Sequence, residues 1–143
     1  MAWGGAIADE FGHQVADFSA RLLATVQARP ELPIAFASRP DLGFDSLDRA
    51  PAWFGVILDW LGVEPERVRV ITQPTRVTEL FVAPQAEQLR GPGPDAGYLD
   101  ALDALTQTRL GAAERHDGLL YVSRAGVPTR FAGEDYLESV LRA

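Results

Sequence analysis

FGHQVADFSARLLATVQARPELPIAFA, residues 11–37, is the stretch that decides how the chain folds. Its first part sets Phe11, Val15, Phe18, Leu22 and Val26 at intervals of three and four, which predicts one amphipathic helix ending before Pro30. Its last part, Pro33-Ile34-Ala35-Phe36-Ala37, is a short apolar run that reads as a buried strand, with Arg39 to Gly43 following as loop. Helix then strand is the first unit, and the pattern continues outward. Trp53, Val56, Ile57, Trp60 and Leu61 predict a second helix, with Gly62 suited to the left-handed position just past its end. Val68 to Ile71 alternates like a strand, and Val77 to Val82 reads as another after the Gln73-Pro74-Thr75 break.

Gly91-Pro92-Gly93-Pro94 is the strongest punctuation in the chain, and it separates elements without having to separate domains. Beyond it, Tyr98, Leu99, Leu102, Leu105 and Leu110 predict a helix up to about Gly111. Gly118 to Val122 reads as a strand, residues 123–133 as a polar, turn-rich segment, and the last helix runs from about Glu134 with Tyr136, Leu137, Val140 and Leu141 inward. Short apolar strands alternating with amphipathic helices predict a single α/β layered domain over residues 1–143 with a mainly parallel sheet. No internal repeat is visible.

Composition narrows the function classes. A chain of 143 residues that is 47% hydrophobic and 23% charged is long and apolar enough for one folded domain and is not disordered. Thirteen basic against 20 acidic residues, a net charge of -7, argue against binding a nucleic-acid backbone. All 13 basic residues are Arg, which biased codon use explains more simply than chemistry does. With no cysteine, disulfide scaffolds, thiol catalysis and Cys-ligated metal sites are excluded. The N-terminus has no basic region and meets Asp9 and Glu10 early, unlike a secretory signal. The longest apolar stretch, Pro51 to Leu61, is interrupted by Asp59 and falls short of the ~20 residues that span a membrane. The expectation is a soluble, cytoplasmic protein without a membrane span.

The usual signatures of phosphate loops, dinucleotide sites, zinc proteases and serine esterases are missing, as is an Asp-x-Asp triplet, and the two histidines, His13 and His116, are too far apart for a His-rich metal cluster. Two constellations remain. His13 and Asp17 lie four apart on the first predicted helix, about 200° and 240° around the axis from Phe11, and so face away from its apolar stripe. Such a carboxylate can hold an imidazole in one tautomer for use as a general base; equally, the two can form an ordinary exposed helix pair. The second constellation is Ser123 and Arg124 at the end of a predicted strand, with Arg130 and Glu134 entering a helix. An Arg there can bind phosphate through paired hydrogen bonds, or can simply fasten the turn by pairing with Glu134 or Asp135. Trp53, Phe54 and Trp60 have the helical spacing of core residues. His116, Glu64 and Glu66 read as surface.

Taken together, these pieces resemble a known family. Glu10-Phe11-Gly12-His13-Gln14-Val15-Ala16-Asp17-Phe18-Ser19-Ala20-Arg21-Leu22 is similar to the Asn-Phe-Gly-His-x-x-x-Glu/Asp-x-x-Pro-Arg-Leu opening of glycosyltransferase family 61, the capsular polysaccharide biosynthesis type. Leu61-Gly62-Val63 with Val68-Arg69-Val70-Ile71 resembles its Leu-Gly-Ile turn and strand, and Leu120-Tyr121-Val122-Ser123-Arg124 with Arg130 and Glu134 resembles its Tyr-Ile-Ser-Arg, Arg and Asn-Glu series. The resemblance covers essentially the whole chain in order. Glu10, Ala20 and Gly133 depart from it, standing where the family has Asn, Pro and Asn.

The resemblance implies a Rossmann-like α/β domain equivalent to the N-terminal half of a two-domain enzyme, with the C-terminal nucleotide-binding half absent after Ala143. It implies inverting transfer of a sugar from a nucleotide-sugar donor to a hydroxyl of a glycan acceptor, without metal or other cofactor. His13 would be the base or acceptor-positioning residue and Asp17 its orienter. Arg124 and Arg130 would offset charge on the leaving diphosphate, with Ser123 and Glu134 positioning them. A half-enzyme would need a second-half domain or self-association, and the isolated chain is expected to be inactive alone. The alternative is a non-catalytic α/β interaction module or degenerate remnant.

Overall fold

The computed structural model describes residues 1–87, 91, 93–111, 122 and 133–142. The chain divides into two units, Met1–Ala112 and Ala113–Ala143. In the first, strands β1 (Ala2–Ala6), β2 (Ile34–Ala37) and β3 (Val68–Ile71) form one open parallel sheet in the order β1-β2-β3. Helices α1 (Phe11–His13) and α2 (Leu22–Ala28) lie between β1 and β2 in sequence, α3 (Ala52–Trp60) between β2 and β3, and α4 (Ala96–Leu110) after the sheet. The expected α/β class with parallel strands is therefore present. Among the described residues no helix is long and apolar enough to cross a membrane.

β2 is the central strand because Ile34, Ala35 and Phe36 are apolar and buried on both flanks. It pairs Ile34 with Ala2 and Val68, and Ala37 with Ala6 and Ile71. β1 has no counterpart in the sequence reading, since Ala-Trp-Gly-Gly-Ala carries two glycines and little strand propensity. The glycines have a steric purpose. The register slips between Trp3 and Gly5, and a Cβ on Gly4 would stand 2.4 Å from the Phe36 ring.

The core gathers Leu22, Ile34, Phe36, Phe54, Leu58 and Val68. Phe36 and Phe54 meet edge to face at 5.1 Å, worth about 0.5–1.5 kcal/mol beyond the area they bury. Trp53 packs edge-on against Phe54 and Phe11, so the aromatic residues of α3 serve packing. Gly62, at φ 74°, ends α3 as expected: its N–H donates to Asp59 O and that of Val63 to Leu58 O, which closes the last turn over the Leu58 and Val63 side chains. In α4, the Asp95 carboxylate accepts the Tyr98 N–H, and Tyr98, Ala101, Leu102 and Leu105 turn one face to the core. Leu99 and Leu110 stay exposed.

Two expected elements take a different form. The predicted helix from Phe11 to Val26 is interrupted by a π turn over Gln14–Phe18, closed by the Ser19 N–H on Gln14 O, and resumes only at Leu22. The cause is Gln14, fully buried, whose side-chain oxygen accepts the Ala8 N–H while its amide donates to Ser19 Oγ. The apolar stripe is broken with it: Leu22 is buried, whereas Phe11 and Val15 are 56% and 46% exposed. The predicted strand Val77–Val82 contracts to a single parallel bridge from Phe81 to Ala2, between prolines at 74 and 84 that cannot donate to a ladder.

In the second unit, Gly133 at φ 93° precedes α5 (Glu134–Leu141). Glu134 is buried, while Tyr136, Leu137, Val140 and Leu141, expected to face inward, are exposed. The strand predicted at Gly118–Val122 lies outside the described residues apart from Val122, which is exposed.

Candidate functional site

The carboxyl ends of parallel strands are where open α/β sheets bind ligands, because the chain splays there into loops and helix starts. After Ala6 and Ala37 the pairing continues one step, Ile7 N–H to Ala37 O and Ser38 N–H to Ile71 O, and then the chain turns away on both sides. Between the two departures lies a cleft of about 400 Å³. His13, Asp17 and Phe18 line it from the helical side, and Asp9, Ser38 and Arg39 from the strand ends.

The glycine bulge and the π turn together form the helical wall. Gly5, at φ 110°, has its Cα so close to the turn that a Cβ would sit 2.8 Å from Phe18 O, so only glycine lets the segment carrying Asp17 and Phe18 approach β1. Gln85 holds the same segment from outside: its amide donates to Asp17 O and its carbonyl oxygen accepts from Arg21 Nε at 2.9 Å. Arg21 therefore braces the wall without lining the cleft.

His13 stands between two carboxylates. Its Nε2 is 3.3 Å from Glu10 Oε2 and its Nδ1 is 3.7 Å from Asp17 Oδ2. The pairing expected from the spacing is present, at ion-pair rather than hydrogen-bond distance, and Glu10 is the nearer partner. Across the cleft, Arg39 is forked onto Asp41, its Nε donating to Oδ1 at 3.1 Å and its Nη2 to Oδ2. The fork pushes the Arg39 guanidinium above its ordinary value, with Asp9 adding to the effect, and lowers the Asp41 carboxyl below its own. Ser38 is only 7% exposed, and its Oγ has no hydrogen-bond partner among the described residues.

Of the residues expected to carry chemistry, His13 and Asp17 are brought together in this cleft. Ser123, Arg124, Arg130 and His116 lie outside the described residues. Glu134, 4% exposed, opens α5 in the other unit. Glu10, Gln14, Ser38 and Arg39 were not singled out by sequence. A polar residue straight after the Ile34–Ala37 run was the one available signal for Ser38. Among the described residues, no group of three or more His, Asp or Glu side chains is arranged to hold a metal. No family model, curated protein or solved structure matches the chain.

Proposed function

We propose that this chain is a Rossmann-like, glycosyltransferase-type domain, and that the cleft at the ends of β1 and β2 receives the acceptor of an inverting sugar transfer. The observation that carries the reading is His13, flanked by carboxylates, on the wall of a cleft at the carboxyl ends of a parallel sheet. The resemblance of the motifs and their order to those of glycosyltransferase family 61 supplies the reaction class.

In this reading the acceptor hydroxyl displaces the exposed Glu10 side chain from His13 Nε2 and passes its proton to that nitrogen. The freed oxygen attacks the anomeric carbon of a nucleotide sugar as the bond to the diphosphate oxygen breaks, and the nucleoside diphosphate leaves with the electron pair. Asp17 keeps its carboxylate toward Nδ1 and offsets the charge the ring gains, a role suited to a fixed carboxylate. Arg124 and Arg130, with Ser123 and Glu134 positioning them, are assigned to the departing diphosphate by the family resemblance alone.

The test is nucleoside diphosphate release from a panel of nucleotide sugars mixed with simple sugar acceptors, with this chain supplemented by a separately expressed nucleotide-binding second-half domain of the family, because the chain alone is expected to be inactive. Acceptor-dependent release with at least one donor is the expected result. One observation favours a second reading, the non-catalytic interaction module: Phe11, Val15 and Val56 stand exposed around an apolar groove of about 330 Å³. Absence of release with every donor, under conditions where the protein is folded, would favour that reading.

A further inference from the structure

We infer that Ser38 is the specificity residue of the cleft and that it reads a hydroxyl of a neutral, polyhydroxylated ligand. The ligand class rests on the acceptor reading given above; the placement of Ser38 rests on the structure directly. Alternation along β2 puts Ser38 on the same face as Ile34 and Phe36, so a hydroxyl terminates an otherwise apolar face where the strand meets the cleft. A buried hydroxyl without a partner is costly, and such groups in folded proteins call for a functional account. Alanine in its place would remove the polar group at no steric cost. Ser38 lines the cleft, and its hydroxyl turns about a single bond among staggered positions.

The surroundings select the ligand's charge. Asp9 and Asp17 line the cleft, Glu10 abuts His13, and the Arg39 guanidinium is already forked onto Asp41. A diphosphate brought there meets carboxylates and a cation that is occupied. A neutral polyol instead offers O–H donors to those carboxylates, an acceptor or donor to Ser38, and a C–H face to the Phe18 ring.

The experiment is titration of the isotope-labelled chain with neutral monosaccharides, their monodeoxy derivatives, inorganic phosphate and uridine diphosphate, followed through the amides of Ala8, Ser38 and Arg39. At least one neutral sugar is expected to shift those signals, and Ser38→Ala to weaken that sugar about three- to tenfold. The deoxy derivative lacking the hydroxyl that Ser38 reads should bind wild type and Ser38→Ala equally. The variant should also melt at the same temperature as wild type or higher. Ser38→Ala that lowers the melting temperature and leaves sugar affinity unchanged overturns the inference, as does a cleft that answers only to phosphate or the diphosphate, or to none of the probes. Neutral-sugar binding that depends on Ser38 without any sugar transfer would leave this inference standing while the transferase reading falls.

Discussion

Gly5 and Phe18 touch backbone to backbone: a Cβ on Gly5 would stand 2.8 Å from the Phe18 carbonyl oxygen. That contact joins the first strand to the π turn, and the turn carries one wall of the cleft. Gly5→Ala faces both the clash and a φ of 110°, and is expected to cost about 2–4 kcal/mol in urea unfolding. Gly12→Ala is the control, since nothing lies within 4 Å of a Cβ there, and it should be neutral or slightly stabilising. Equal behaviour of the two variants would mean that β1 does not hold the turn as described.

The buried side chain of Gln14 ties Ala8 to Ser19. Gln14→Ala leaves the Ala8 N–H and the Ser19 hydroxyl without that partner and opens a cavity, for a loss of about 2–4 kcal/mol. The signals of His13 and Asp17 should shift with it, because the π turn loses its cause. Full stability in the variant would assign the turn to something other than Gln14.

Alkaline stability follows from Tyr98. Burial, with Glu87 nearby, pushes its phenol above the ordinary value of 10.0. As pH rises, the unfolded chain therefore gives up this proton before the folded one does. The stability that Tyr98 contributes is complete below pH 10 and is lost as pH climbs through the higher folded value. Melting temperatures of wild type and Tyr98→Phe measured from pH 8 to 11 should diverge above about 10, with wild type falling more steeply. Parallel curves would contradict the raised phenol.

What could be read from sequence were the features whose signals are local. β2 is a short apolar run between breakers, β3 alternates like a strand, and Gly62 and Gly111 mark helix ends through conformations that glycine adopts without strain. β1 escaped notice because its glycines serve contacts with Phe36 and Phe18, residues 32 and 13 positions further along. The π turn escaped because it depends on Gln14 reaching back to Ala8, while periodicity alone favoured a continuous helix. In the site, His13 and Asp17 were legible as an i, i+4 pair. Ser38 was not, since its meaning comes from two strand ends brought together by parallel pairing.

The central claim is that His13 takes the acceptor proton, and acceptor-dependent release of nucleoside diphosphate by His13→Ala against wild type, each supplemented with the second-half domain, tests it most directly. The account predicts a fall of about 10²–10⁴-fold in turnover with the melting temperature unchanged, because His13 is half exposed and outside the core. Turnover in His13→Ala equal to that of wild type would contradict it.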